Sequence, residues 1–233
     1  MSTPLYTKEQ LVKMWNSVRY KEDRFWAFMT ANGSWVHSNV TYADFDKFYE
    51  AVRLHKAQDV HVKMLVDGAR EWVIDVDHDE NDFEKIKLKN MIAHATFSYF
   101  FGDNCTRIMY TGNRGLHIWL DEEQFDMRAV YELRMFYYEN ILKVTNFNIP
   151  RNLYQNRSMG DCFFRSVQNN KWIVRQIKNL YPHLNCDNHA ALLKEFYPHV
   201  DKQVFVSNKQ IRAPYSYNSK GKRFSNDHIL LFE

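Results

Sequence analysis

The sequence predicts an α/β fold in a single domain over residues 1–233. Three observations carry that expectation. Segments of helical apolar period interleave along the whole chain with short strand-like runs. No internal repeat, low-complexity stretch or linker divides it. At 233 residues, 45% of them hydrophobic, it is also long enough for one large core.

Thr7-Lys8-Glu9-Gln10 reads as a capping box, opening a helix with Leu11, Met14, Trp15 and Val18 on one face. Residues 25–28 and 34–40 read as hairpin strands joined through Asn32-Gly33. Residues 42–55 have helical period, with Phe45, Phe48, Tyr49 and Val52 aligned. Residues 72–77 predict a strand, 83–101 a long apolar helix, and 107–110 and 116–120 two further strands around a glycine turn. Residues 126–144 predict an amphipathic helix with Val130, Leu133, Tyr137 and Ile141 on one face. The pattern then loosens around Pro150 and Gly160, so a helical or irregular insertion is expected at about 145–195, including short helices at 171–180 and 189–196. Residues 201–207 read as strand-like, 215–222 as a loop and 229–232 as a terminal strand. His94, Tyr137-Tyr138 and Phe163-Phe164 are expected in the core. Asp79 and Asp82 are expected in solvent or capping the following helix.

No stretch approaches the roughly 20 apolar residues of a membrane span. Residues 1–10 lack the apolar core of a signal peptide, so an intracellular protein off the membrane is expected. Cys105, Cys162 and Cys186 are odd in number and include no Cys-x-x-Cys, which fits free thiols and gives no reason to expect structural zinc. Net charge is only +3 but uneven. Residues 151–180 carry six basic residues against Asp161, and residues 201–225 six against Asp201. A polyanion-binding face and a merely solvated basic surface both fit that distribution.

The sharpest chemistry lies in "EWVIDVDHDE", from Glu71 to Glu80. On a strand, a period of two turns Trp72, Ile74 and Val76 to one face and Asp75 and Asp77 to the other. Carboxylates that close repel unless a cation lies between them, and Mg²⁺ is commonly held by such a pair together with substrate phosphates. A Ca²⁺ loop is excluded, because Glu80 stands at the obligatory glycine position and Ile86 at that of the bidentate glutamate. A bare Asp-x-Asp also suits solvated aspartates at a sheet end, or a glycosyltransferase holding a nucleotide sugar. "TGNRGLH", Thr111 to His117, is equally open: an ordinary turn, or a phosphate cradle with Arg114 and His117 facing a triphosphate. It lacks the Gly-Lys-Ser/Thr of a P-loop.

Order along the chain decides between these readings. "WVIDVD" precedes "TGNRGLH" by about forty residues, and "YPHVDKQVFVSNKQIRAPYSYNSKGKRF" follows with Asp201. In this arrangement the sequence resembles the catalytic (small) subunit of the archaeo-eukaryotic primase superfamily, most of all its baculoviral late-expression-factor branch. "DRFWAF" is similar to the family's N-terminal Arg-Glu-Phe-x-Phe strand, so the resemblance covers roughly residues 24–224, with an unmatched middle at about 145–195. Asn113 stands where the family often has arginine, and Lys209 and Asn218 stand where eukaryotic members have histidines. The cysteine cluster that follows Asp-x-Asp in cellular relatives is missing here.

The resemblance implies a central, mostly antiparallel sheet flanked by helices. It implies a DNA primase, a nucleotidyltransferase of the DNA-directed RNA polymerase type, making short RNA primers on single-stranded DNA for viral replication. Asp75, Asp77 and Asp201 would be the catalytic residues, holding two Mg²⁺ or Mn²⁺ ions. Arg114, His117, Lys209, Arg212 and Arg24 would bind the nucleotide's phosphates, helped by the turn at Gly112 and Gly115 and by the hydroxyls of Thr111 and Ser216. Expected partners are the template, nucleoside triphosphates, a large-type accessory subunit in a heterodimer, and replication proteins such as a helicase; the expected compartment is the host nucleus. A gap-filling or end-joining polymerase of the same superfamily, and a catalytically silent single-strand-binding subunit, are the alternatives.

Overall fold

The computed structural model describes residues 5–143 and 156–231. Helix α1 (Lys8–Ser17) starts at the capping box: the Gln10 N–H donates to the Thr7 hydroxyl, and the Thr7 N–H to the Gln10 side chain. Strands β1 (Arg24–Thr30) and β2 (Trp35–His37) form the expected hairpin, with Gly33 at φ 83°. Asp44 caps α2 (Phe45–Leu54), which buries Phe48, Ala51 and Val52. The next strand, β3 (Ala57–Leu65), is one the apolar period does not single out. Gln58, His61 and Lys63 interrupt its apolar positions, and antiparallel pairing with β1 is what makes it a strand.

Strand β4 (Val73–Val76), helix α3 (Phe83–Phe101) capped by Asp82, and strands β5 (Cys105–Tyr110) and β6 (Leu116–Leu120) lie close to their expected bounds. Helix α4 (Tyr131–Tyr137), continued by a π turn over Tyr138–Leu142, begins later than expected and turns a different face inward. Arg134, Tyr138 and Leu142 are buried, whereas Val130, Leu133 and Ile141 are exposed. The cause is Arg134: its guanidinium lies over the Trp72 ring and donates to the carbonyls of Glu71, Met127 and Ala129. Those contacts fix the helix rotation in preference to the aliphatic stripe.

In the expected insertion, residues 156–195 include α5 (Met159–Asn169), α6 (Lys171–Leu180) and α7 (His189–Phe196); its earlier residues lie outside the described ones. A helix, α8 (Lys202–Val206), replaces the strand expected at 201–207. Its β-branched and aromatic residues favour a strand, but the Asp201 carboxylate accepts from the Val204 N–H, and Phe205 and Val206 are buried from a helix. Four short strands follow: β7 (Ile211–Arg212), β8 (Tyr217–Asn218), β9 (Arg223–Phe224) and β10 (Asn226–Asp227). β8 lies within the expected loop. Residues 229–231, expected to be strand, are outside any strand; the Asn170 side chain takes up the Leu231 carbonyl instead.

The chain forms two compact units: Met1–Arg70 with Thr111–Asn113 and Ser207–Asn226, and Glu71–Tyr110 with Arg114–Val206 and Asp227–Glu233. The first contains a sheet in the order β2-β1-β3-β7, antiparallel throughout, and the β8-β9 ribbon. Trp26 and Phe28 turn one face of that sheet against Trp15 and Phe48 of the helices. In the second unit β6 lies between β5 and β4, antiparallel to both, and Asp227 reaches the outer edge of β5. Ile74, Val76, Leu116 and Ile118 pack there on Ala93, Phe97 and Phe101 of α3. Another side of α3, with Leu88, Met91, Ile92 and Ala95, packs on α5, α6 and α7, which is why this helix is apolar almost all round. The α+β class holds, with the sheet divided into two. The three cysteines are free, and no helix among the described residues is long and apolar enough to cross a membrane.

Candidate active site

Asp75 and Asp77 stand at the end of β4. The register pairs Ile74 with Ile118 and Asp75 with His117, so Asp75 points away from the core on the side of His117. His117 Nε2 lies 3.4 Å from Asp75 Oδ1. Just past the strand, Asp77 Oδ2 accepts from Arg114 Nη2 at 3.3 Å, and Asp79 lies 4.0 Å from Arg114 Nη1. Asp201 reaches the same strand end by its backbone: Val200 bridges Val76, and the Asp201 N–H donates to the Asp75 carbonyl at 2.8 Å. The second unit therefore gathers Asp75, Asp77, Asp201, Arg114 and His117, which are far apart in sequence, at one end of β4.

Two local features hold this arrangement. A Cβ on Gly115 would lie 1.7 Å from the Val76 carbonyl, so only glycine lets the turn cross so close to β4. The residue after Asp77, His78, is buried, with Nε2 3.1 Å from Asn90 Oδ1 of α3, while its N–H donates to Asp77 Oδ1 at 3.0 Å. Burial pushes the His78 imidazole down to about 4, and the charges of Lys89 and Arg114 act in the same direction. His78 is thus neutral near pH 7 and ties the aspartate loop to the helix.

The donors offered here are hard carboxylate oxygens, the type that Mg²⁺ and Mn²⁺ prefer. Among the described residues no three His, Cys, Asp or Glu side chains converge on one cation position. Mg²⁺ does not need such a cage, since one or two carboxylates with phosphates and waters complete its shell. The pair at the end of β4 fits that mode of binding.

The other sequence-derived candidates belong to the first unit. Arg212 Nη1 is 2.7 Å from Asp59 Oδ2 in a buried ion pair and also donates to the Tyr217 carbonyl. Ser216 is fully buried, its Oγ accepting from the Val60 N–H at 2.7 Å. Arg24 is fully buried in β1, and Thr111 is buried as well. Lys209 is exposed, with its carbonyl accepting from Arg70. Arg212 and Ser216 thus have internal partners that a motif cannot reveal, and Asp59 was not among the expected residues. The alternation in "QDVHV" turns Val60 and Val62 to the helices and Asp59 to the other face, so the sequence carries no signal for it; Arg212 and the Ser219 N–H cover it there.

Asn218 is a further residue the sequence does not explain. Its Nδ2 donates to the Thr111 carbonyl at 3.0 Å, and its Oδ1 accepts from the N–H groups of Lys220 and Gly221, both at 3.1 Å. It locks two turns whose glycines interlock: a Cβ on Gly112 would sit 2.6 Å from the Arg223 carbonyl, and one on Gly221 1.9 Å from the Gly112 carbonyl. Asn218→Ala removes these buried bonds and is expected to cost about 2 kcal/mol. Calorimetry should find the melting temperature lower by about 4–8 °C.

No family model matches the chain. It is 37% identical over 229 residues to the DNA primase of Autographa californica nuclear polyhedrosis virus, covering 94% of this chain and 80% of that protein. It is 35% identical over 226 residues to late expression factor 1 of Orgyia pseudotsugata multicapsid polyhedrosis virus, covering 94% and 86% respectively.

Proposed function

The chain belongs to the baculovirus DNA primase and late expression factor family, and from that premise we propose that it is the subunit that synthesises short RNA primers on single-stranded DNA. The observation that supports this chemistry best is the meeting of Asp75 and Asp77 with His117 and Arg114 across β4 and the turn before β6.

Asp75 and Asp77, with Asp201 beside them, are the residues that would hold Mg²⁺ or Mn²⁺. Bound there, the cations would stabilise the charge growing on the attacking 3′-oxygen and on the leaving pyrophosphate. Arg114 supplies a positive charge beside Asp77. Its pair with Asp77 is a third to a half exposed, so it is worth only about 0–1 kcal/mol. The guanidinium can therefore turn to a phosphate oxygen at little cost. His117 is more fixed: it is buried in β6 and aims Nε2 at the same side of the sheet as Asp75, within reach of a phosphate that sits there. A noncovalent accessory subunit would complete the enzyme in the infected nucleus.

A primer-free synthesis assay tests the proposal. The chain, co-purified with its accessory subunit, is given single-stranded DNA, nucleoside triphosphates and Mg²⁺ or Mn²⁺. New chains that vanish on chelation and return with added Mn²⁺ are the expected result. Extension of a supplied primer without initiation would instead make the chain a gap-filling polymerase. Template binding without synthesis would make it a silent subunit.

A further inference from the structure

In the first unit the sheet face opposite Trp26 and Phe28 carries an exposed aromatic group. The register sets His37, Ala27 and His61 in one row across β2, β1 and β3, and Trp35, Met29 and Asp59 in the next. The Trp35 ring stacks on His37, with centroids 6.3 Å apart at 20°, and meets His61 edge-on at 4.6 Å. Ala27 beneath them is fully buried, so the three rings form a shelf on the strands with nothing tall between them. Trp35 itself is 36% exposed and His37 is exposed, while His61 is half-buried beneath Trp35 with both ring nitrogens out of solvent. Two residues along β3 from His61, Lys63 places its ammonium 6.0 Å from the Phe25 ring.

The charge of this unit gives the shelf its partner. By sequence it has fifteen Lys and Arg against eight Asp and Glu, or +7, while the second unit, which holds the aspartates, is −4. An apolar peptide would gain nothing from such a charge, whereas a polyanion with flat bases matches both features. Stacking on exposed aromatics, with lysines tracking the phosphates, is how single-stranded nucleic acid is bound without regard to sequence. We propose that the Trp35–His37–His61 shelf stacks bases of the single-stranded DNA template. This rests on the primase reading and adds to it where the template is held.

The test uses the full chain and a fluorescein-labelled oligo(dT), read by anisotropy across a salt series. Trp35→Ala should raise the dissociation constant about 5- to 150-fold, the range for loss of one stacked aromatic. Trp35→Phe should stay within a few-fold of wild type. The slope of log affinity against log salt should not change in Trp35→Ala, because stacking releases no counterions. Lys63→Ala should reduce that slope by about 0.7. Asp75→Asn serves as the reference, losing synthesis but binding oligo(dT) like wild type. Unchanged affinity in a folded Trp35→Ala overturns the shelf while leaving the primase reading intact. So does loss of self-association or of accessory-subunit binding at unchanged DNA affinity, which would make the face a protein contact. A wild-type chain that binds oligo(dT) through Trp35 but never synthesises primers would instead keep the shelf and remove the primase reading.

Discussion

Asp75→Asn and Asp77→Asn are each expected to lower primer synthesis by about 10³-fold, and the double variant to abolish it. The cause is electrostatic. Asparagine keeps the shape and the acceptor oxygen of each side chain but removes the negative charge, so the site loses what would hold a divalent cation against a triphosphate. The fold should hardly notice. The Asp77–Arg114 pair is exposed enough to be worth about 0–1 kcal/mol, and Asp75 keeps its place through strand pairing, which needs only its backbone. Unfolding curves measured beside single-turnover rates should therefore part company: melting temperatures within a few degrees of wild type, rates at background. A folded double variant with normal synthesis would remove these residues from the chemistry.

Gly115→Ala is expected to have the largest effect on both fold and activity. The added Cβ would lie 1.7 Å from the Val76 carbonyl and 3.0 Å from the Asp77 Cα. Neither neighbour is a flexible side-chain tip, so backbone must move. The strand that follows is buried along its whole length, and little slack exists there. A cost of about 3 kcal/mol is expected for such overpacking, lowering the melting temperature by about 6–12 °C. Below that temperature the rate should also fall, since a shift of about 1 Å in catalytic groups can cost about 10²-fold. Gly33→Ala is the control. It too adds a methyl group, at φ +83° but with nothing within 4 Å, so about 1 kcal/mol and no loss of rate are expected. A Gly115→Ala variant with wild-type melting and wild-type rate would contradict the close approach of the turn to β4.

Local rules made much of this fold legible. The capping box at Thr7, the Asn32-Gly33 turn and the apolar run of α3 each act within a few residues, so sequence alone reveals them. Alternation in "WVIDVD" separates Ile74 and Val76 from Asp75 correctly, because a strand buried on one face must alternate. What escaped depends on distant partners. β3 is a strand through its pairing with β1, and α8 is a helix because Asp201 caps it. The rotation of α4 is set by carbonyls that receive Arg134.

The candidate site divides in the same manner. Motif order pointed to Asp75, Asp77, Arg114, His117 and Asp201, and these residues do gather at the end of β4. Motif matching also put Arg212 and Ser216 at a phosphate, but it cannot see Asp59, 153 residues from Arg212, or the Val60 amide that Ser216 serves. A basic residue or a hydroxyl at a motif position states what chemistry is available there. It does not state which partner takes it. Asn218 illustrates the converse: it reads as a departure from the family, yet it holds Thr111 and the Gly221 turn together.

In this site the two aspartates at the end of β4 would hold a cation whose triphosphate partner is met by Arg114 and His117. Anomalous diffraction from crystals soaked with Mn²⁺ and a non-hydrolysable nucleoside triphosphate tests it most directly. The expected result is an anomalous peak between the Asp75 and Asp77 carboxylates, Arg114 turned from Asp77 to a phosphate oxygen, and His117 Nε2 within hydrogen-bond distance of the triphosphate. A manganese peak elsewhere, with Arg114 still on Asp77 and the nucleotide bound away from β4, would contradict it.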